Sequence, residues 1–356
     1  MSTGRPTSAL LSDLRKEILT GSIPIGDLIP SVRQLSVKYK LATKTVHRTL
    51  IALEKDGLLN AEPRKGYRVV ATSKDPRKGC PVAFILESTD FSKSAPLHYT
   101  LRNEMEKYLA TKSFSILTIF TGNKSIEEIV EQIQLSRAWG VLLDTVNIEL
   151  LHRIKAMGIP AVMIDAWVED APFDIILQDN YQGGHQAGQY LIKQGYSQIA
   201  WVGPIGASAI SRERYGGAVS ALVAGHKPLA SELTFECHQN QPEAAVRQLF
   251  ALPKRPEAIL CLWSEIAVMV AKIAKELKLK VGIDFDMVGW TTSDKKEEYA
   301  QAFEGKKTPA TIVWSPEMMA QTAITRLAEK WTNSKIAPMR LLIDASLQKS
   351  QIEKHK

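Results

Sequence analysis

The chain has 356 residues, 45% of them hydrophobic, and a formal net charge of +7. That is too long for one ordinary core and normal in composition for a globular protein. No apolar run approaches the roughly 20 residues of a membrane span, and the stretch after Met1 has no secretory h-region. Three scattered cysteines, Cys80, Cys237 and Cys261, lack the CxxC spacing of a structural zinc site and fit a reducing compartment. The expected location is the cytoplasm, with no membrane contact.

The placement of charge says more than its size. Residues 1–80 hold 15 Lys+Arg against 7 Asp+Glu, whereas the remainder holds 30 against 31. A compact basic module on a neutral body suggests a polyanion partner; a solvated basic face is the other reading.

The first helix is expected over Ser8–Thr20, burying Leu10, Leu11, Leu14 and Ile18, with Gly21 as its stop. Ser31 and Gln34 have capping-box spacing, so a second helix should run to Tyr39 and bury Leu35. A turn at Lys40-Leu41-Ala42 leads to a third helix, Thr43–Asp56. Val46, Leu50 and Leu53 recur at i, i+4, i+7 and face a core. That rotation exposes Lys44, Thr45, His47 and Arg48 near the helix start, where a recognition helix meets bases and phosphates. Gly57 ends the helix. Leu58–Ala61 and Tyr67–Val70 read as strands joined by a basic tip, Glu62-Pro63-Arg64-Lys65-Gly66, a candidate wing. The polar stretch Ala71–Pro81 reads as a linker.

From Val82 onward short apolar strands alternate with helical patterns. Strands are expected at Val82–Glu87, Ser115–Phe120, Gly140–Asp144, Ala161–Ile164, Ile175–Gln178, Ile199–Val202, Ala258–Cys261, Met287–Trp290 and Thr311–Trp314. Helical patterns include Leu101–Thr111, Ser125–Ser136, Gly183–Gln194 and Ile266–Leu277. This alternation implies doubly wound parallel sheets, with enough chain for two lobes. Ligands of such folds sit past the C-terminal ends of strands. The residues there are Ser88, Thr89 and Asp90; Asp144 and Thr145; Asp165 and Trp167; Asp179 and Asn180; Trp263 and Ser264; and Trp290, Thr291 and Thr292. Acids, hydroxyls and tryptophans together suit a polyhydroxylated or heterocyclic ligand.

Residues 10–70 resemble the winged helix-turn-helix of the GntR family of bacterial regulators. The resemblance is carried by Ile18-Leu19-Thr20-Gly21, Gly26 with Leu28, Pro30-Ser31-Val32-Arg33, Thr45-Val46, Leu50, and Leu53-Glu54-Lys55-Asp56-Gly57-Leu58. It implies DNA contacts from Arg33, Thr43, Lys44, Thr45 and His47, and from Lys65 and Gly66 of the wing; Arg48 joins them by its exposure. Arg33, Lys44, Arg48 and His47 also read as plain surface residues. Ala42 stands where the family has a Ser or Thr cap, and Thr43 and His47 stand where it often has Arg. An operator different from the usual one is therefore expected.

Residues 81–350 resemble the effector domain of the lactose/galactose-repressor family, itself similar to periplasmic sugar-binding proteins. The carrying residues are Ile159-Pro160 with Ile164-Asp165, Asp179 to Gly184, Leu191 to Ala200, Ser211 to Gly217, and Pro256-Glu257-Ala258-Ile259. The resemblance implies effector contacts from Asp165 and Arg214; a helix cap and an interlobe salt bridge are the structural alternatives. Trp263-Ser264 and Thr291-Thr292 replace acidic or amide residues common in the family, so stacking on Trp263 and Trp290 is expected to carry more of the binding; ordinary core packing is the other reading of both rings.

The resulting expectation is an α/β chain: a winged helix-turn-helix over 1–72, a linker over 73–80, and a two-lobed, doubly wound, periplasmic-binding-protein-like domain over 81–356. The candidate ligand residues are Ser88, Asp90, Asp165, Trp167, Arg214, Trp263, Ser264, Trp290 and Thr291. Its function reads as a ligand-responsive repressor with operator DNA and a small carbohydrate-like effector as partners. It is expected to be a homodimer, because two half-sites need two recognition helices. No GxGxxG follows the first strand, and no Walker loop, HExxH or GxSxG occurs. The 7 His residues lack metal-ligand spacing. No catalytic residue, cofactor or metal is therefore expected. A cytoplasmic α/β enzyme and a solute-binding protein, each with an N-terminal regulatory module, are the rival readings.

Overall fold

Three helices and a hairpin come first: α1 (Gly4–Leu19), α2 (Val32–Tyr39), α3 (Thr43–Lys55), β1 (Leu59–Glu62) and β2 (Gly66–Val69). The computed structural model describes residues 4–352 except 20, 21, 25, 57, 64, 71–76, 78, 91, 93, 94, 304–306, 334 and 335. The expected stops at Thr20-Gly21 and Gly57, and Arg64 of the hairpin tip, lie outside the described residues. The first helix begins four residues before Ser8, because Pro6 falls in its first turn, where no backbone donor is needed. At α2 the capping box forms as the spacing predicts. The Gln34 N–H donates to Ser31 Oγ (3.3 Å) and the Ser31 N–H to Gln34 Oε1 (2.7 Å). Lys40 ends the helix in a left-handed conformation (φ 53°). Leu10, Leu14, Ile18, Leu35, Val46, Leu50, Leu53, Tyr67 and Val69 close one small core, while Leu11 is only half-buried at its edge.

Beyond the linker the chain runs β3 (Val82–Leu86), α4 (Pro96–Ala110), β4 (Ile116–Phe120), α5 (Ile126–Ser136), β5 (Gly140–Asp144), α6 (Ile148–Ala156), β6 (Ala161–Ile164) and β7 (Asp174–Gln178). It continues through α7 (Asn180–Lys193), β8 (Ile199–Val202), α8 (Ala209–Ala224), β9 (Thr234–Phe235), α9 (Glu243–Phe250), β10 (Ala258–Leu260), α10 (Ser264–Glu276) and β11 (Asp286–Thr292). It ends with α11 (Lys296–Gln301), β12 (Ala310–Trp314), α12 (Pro316–Thr332), β13 (Arg340–Ile343) and β14 (Ala345–Gln348). All nine expected strands are present within two residues. The short β9, β13 and β14 were not expected: β9 has two residues, β13 has only the three apolar residues Leu341–Ile343, and β14 carries no continuous apolar run.

Two six-stranded sheets result. Lobe 1 has the order β13-β7-β6-β5-β3-β4, all parallel. Lobe 2 has the order β14-β12-β11-β10-β8-β9, parallel except for antiparallel β14. Strands such as Val82–Leu86 and Gly140–Asp144 are buried along their whole length, as a sheet covered on both faces requires. The chain crosses between lobes three times: from β7 into α7, from β12 into α12, and from β13 to β14. At the start of β7, the end opposite the crossing, wholly buried Asp174 gathers Arg326 (3.1 Å), Lys330 (2.9 Å) and the Met339 N–H (2.7 Å). Paired this fully, a buried carboxylate is tolerated and ties β7 to α12 and to the approach of β13.

Helices α7 and α8 lie nearly backbone to backbone. A Cβ added at Gly184 would stand 2.2 Å from the Arg214 carbonyl oxygen, and one at Gly217 would stand 2.1 Å from that of Tyr181. Gly216, one residue away on α8, has open space around it. Gly217→Ala should therefore cost about 1–3 kcal/mol and lower the melting temperature in circular dichroism. Gly216→Ala should be neutral or stabilise by up to about 1 kcal/mol, because helical glycine is entropically costly. Equal melting temperatures for the two variants would refute the close-approach argument.

Candidate DNA interface and interlobe cleft

On the N-terminal module, Arg33, Thr43, Lys44, His47, Arg48, Lys65 and Gly66 are exposed, and Thr45 is half-buried, its carbonyl accepting from Thr49 Oγ1 (3.1 Å). Among the described residues, Arg33, Lys44, Arg48 and Lys65 form no ion pair, which leaves their charges for an outside partner. Arg68, by contrast, is held by Glu62 and by the Gly26 carbonyl. His47 sits edge-on to Tyr67, ring centroids 6.0 Å apart, so the third helix and the hairpin are fixed to one another. Ala42 supplies no side-chain cap; the Thr45 N–H donates to the Ala42 carbonyl (2.8 Å), and the N–H groups of Thr43 and Lys44 keep their capacity to donate to a phosphate. The third helix and the hairpin are thus joined, and Arg33, Lys44, Arg48 and Lys65 are exposed on the same module.

The second candidate is a cavity of about 400 Å³ between the lobes, at the C-terminal ends of their strands. Lobe 1 contributes Pro96, Leu97, His98, Asp165 and Gln178 to its wall. Lobe 2 contributes Ser208, Ser211, Arg214, His238, Trp263, Ser264, Trp290, Thr291, Thr292 and Lys295.

Arg214 is the centre of this wall and is 4% exposed. Its Nε–H donates to Asn180 Oδ1 (2.9 Å), Nη1–H to the Leu262 carbonyl (2.7 Å) and Nη2–H to Gln178 Oε1 (2.8 Å). The guanidinium carbon lies 3.9 Å from the Trp290 ring centroid and 4.8 Å from that of Trp263. Burial disfavours the Arg214 charge and nearby Asp165 favours it. Gln178 ends β7 and joins the two lobes: its amide oxygen also accepts from Trp290 Nε1–H (3.2 Å), and its amide nitrogen donates to Asp165 Oδ1 (3.0 Å).

Asp165 sits in the left-handed region (φ 51°), an uncommon conformation of the kind that collects at functional sites. Burial pushes its carboxyl up to about 6, against the opposing pull of Gln178 and Arg214. Behind it, Asp144 is raised well above its ordinary value, first by burial and then by Asp165 and Glu87. His98 Nε2 lies 3.2 Å from Asp144 Oδ2, and burial lowers the imidazole. Among the described residues, His98 Nδ1, Thr291 Oγ1 and Thr292 Oγ1 are buried without a hydrogen-bond partner, and all three residues line the cavity.

Of the sequence-based candidates, Asp165, Arg214, Trp263, Ser264, Trp290 and Thr291 come together here. Ser88, Asp90 and Trp167 do not line the cavity. Ser88 Oγ–H donates to the Asp90 carbonyl (2.9 Å), and the Asp90 carboxylate accepts from the Ser92 N–H (2.8 Å), so both are consumed in a turn. The Trp167 ring lies under the Arg340 guanidinium, 5.1 Å away. The rings expected to stack on a ligand, Trp263 and Trp290, line the cavity but are only 6% and 3% exposed. Trp290 carries the Arg214 guanidinium, and a Cβ added at Gly183 would meet its Cη2 atom at 2.6 Å. Trp263 carries the same guanidinium, packs its Cζ3 edge on Gly203 and meets Trp201 edge-on. Both rings hold the arginine. Gln178 and His98 were missed; the signal for Gln178 was one amide closing the apolar run Asp174–Gln178.

The raised Asp165 value gives a pH test. A carboxyl with a folded value of about 6, against 3.8 ordinarily, adds stability when protonated, and that stability fades as pH rises between the two. Asn at 165 never ionises and accepts the left-handed backbone. The melting-temperature gap, Asp165→Asn minus wild type, should grow from about pH 4 to about pH 6 and stay flat above. A gap independent of pH would contradict the burial argument.

Residues 95–335 match the periplasmic binding protein domain family, and residues 6–69 match the bacterial regulatory proteins of the gntR family. The HTH-type transcriptional repressor PurR of Actinobacillus pleuropneumoniae serotype 3 (strain JL03) is 26% identical over 216 residues. That match spans 59% of this chain and 64% of the relative. The arabinose metabolism transcriptional repressor of Geobacillus stearothermophilus is 24% identical over 344 residues, 90% of this chain and 92% of that one. The solved transcriptional regulator CelR–cellobiose complex superposes with a TM-score of 0.65 at 17% identity, covering 99% of both chains. No described helix is long and apolar enough to cross a membrane. The chain belongs to the periplasmic binding protein domain family and carries a gntR-family regulatory module at its N-terminus.

Proposed function

We propose that this chain is a cytoplasmic, ligand-responsive transcriptional repressor that binds operator DNA as a homodimer and whose DNA affinity is set by a sugar or sugar derivative. In this reading residues 1–72 read DNA, 73–80 link, and 81–356 bind the effector without catalysing a reaction on it. The carrying observation is the cleft: residues whose buried polar groups lack partners line it from both lobes, His98 from one and Thr291 and Thr292 from the other. Burying such groups unpaired costs about 1–3 kcal/mol each, which a ligand rich in hydroxyl groups recovers on both sides at once. Contact with both lobes favours the closed arrangement, and a ligand shifts an equilibrium only through such differential contacts. The names of the relatives, repressors that include one of arabinose metabolism, support the reading.

A thermal-shift panel on the full chain tests the ligand class, using L-arabinose, D-galactose, D-galacturonate, cellobiose and adenosine. At least one sugar should raise the melting temperature by several degrees. Thr292→Val, which removes the unpaired hydroxyl at nearly constant shape, should weaken that sugar about three- to tenfold while raising the unliganded melting temperature. Arg214 is the wrong residue for this purpose, because its loss would strand Gln178 and Asn180. A shift with adenosine and with none of the sugars would overturn the ligand class.

The DNA arm is independent. On a duplex selected from a random pool, binding should weaken steeply with salt, and Arg33→Ala and Lys44→Ala should each lower the salt slope by about one. Full affinity in a chain lacking residues 1–75 would sink the assignment.

A further inference from the structure

We propose that the Arg77 guanidinium, seated on the rings of Phe114 and Trp139, sets the length of chain between the N-terminal module and lobe 1, and thereby the half-site spacing that a dimer selects. The spacing clause rests on the DNA-binding reading above; the seat does not. Arg77 is half-buried, and its guanidinium carbon stands 5.1 Å from the Phe114 centroid and 4.9 Å from that of Trp139. The two rings are 5.4 Å apart and inclined at 50°, which opens a slot for a flat cation. Trp331 backs Trp139 edge-on at 6.2 Å. Phe114 immediately precedes the Ser115 whose carbonyl accepts from the Val82 N–H, and Trp139 immediately precedes β5. The slot therefore lies at the end of the lobe 1 sheet opposite the cleft, where the chain enters from the module.

The backbone supports the same seat. The Cys80 N–H donates to the Arg77 carbonyl (2.8 Å), and Gly79 takes the positive φ (81°) that this turn needs. The next attachments are Cys80, half-buried against the core, and the Pro81 carbonyl, which accepts from the Trp139 N–H (3.0 Å). Losing Arg77 moves the anchor from residue 77 to residue 80. At about 3.5 Å per residue, that adds up to about 10 Å of slack in each subunit. One turn of DNA is about 34 Å, so such slack in both subunits blurs half-site spacing. Arg77 is a positioning residue in this account and touches neither DNA nor effector.

The test uses the full chain and two variants. Arg77→Gln removes the cation, and Phe114→Leu opens the slot without altering the linker. Endoproteinase Lys-C, which cuts after Lys74 and Lys78, reads the linker directly. Both variants should be nicked about fivefold faster than wild type, the size expected from one cation–π contact, and the double variant no faster than either. Nicking of Arg77→Gln at the wild-type rate overturns the seat. Selection from a random duplex pool reads the consequence: wild type should recover one half-site spacing and Arg77→Gln several. One identical spacing from both overturns the proposal. If wild type retains no duplex, the DNA-binding reading fails and the nicking comparison alone decides on the seat.

Discussion

The molecule is organised around one buried cation. Arg214 is taken out of water at the meeting of two sheets, a step that costs several kcal/mol unless the charge is surrounded by partners. Here three carbonyl oxygens and two indole rings surround it, and they come from β7, from the start of α7, from the end of β10 and from β11. If α7 and α8 stood apart by the width of a methyl group, Arg214 would lose Asn180 and Gln178 together, and for that reason Gly184 and Gly217 face backbone atoms. The glycines, the amides and the tryptophans are parts of a single device for tolerating a charge between lobes.

That device also decides the chemistry of the cleft. Tryptophans beside a cavity suggest ring stacking, but each carries the Arg214 guanidinium and is almost wholly buried. What remains toward the open space is hydroxyl, imidazole and carboxylate, much of it unpaired. Asp165 holds its proton more tightly than a surface carboxylate does, because the surroundings that shield it from water also weaken its charge. A surface of this kind discriminates by the positions of hydrogen-bond donors and acceptors, which penalise a missing hydroxyl more heavily than a missing methylene.

Much of the architecture was legible from the residues. Strands such as Val141-Leu142-Leu143 are apolar throughout because both faces are covered, and their alternation with helices announces a parallel sheet. The N-terminal module was legible because Ser31, Gln34, Val46, Leu50 and Leu53 act locally, through caps and helical periodicity. The cleft was legible only in part. Arg214 and Asp165 were found through resemblance, and the tryptophans through their place after strands, yet their roles depend on contacts across residues far apart in the chain. Ser88, Asp90 and Trp167 also follow strands, but position after a strand says nothing about a neighbour such as Ser92 or Arg340 that takes the side chain first. His98 lies on the first turn of α4, where no strand rule directs attention.

The threefold crossing has a consequence for how the body is made. Lobe 1 is built from residues 82–178 but takes α12 and β13 from much later in the chain, and lobe 2 takes β14 later still. During synthesis, which proceeds from the N-terminus, each sheet waits with one edge open until residues 340–348 have been made. Neither lobe is a contiguous fragment that folds to completion first. The late arrival of β13 and β14 completes both sheets almost simultaneously, so the two halves of the body mature as one event rather than as domains added in turn.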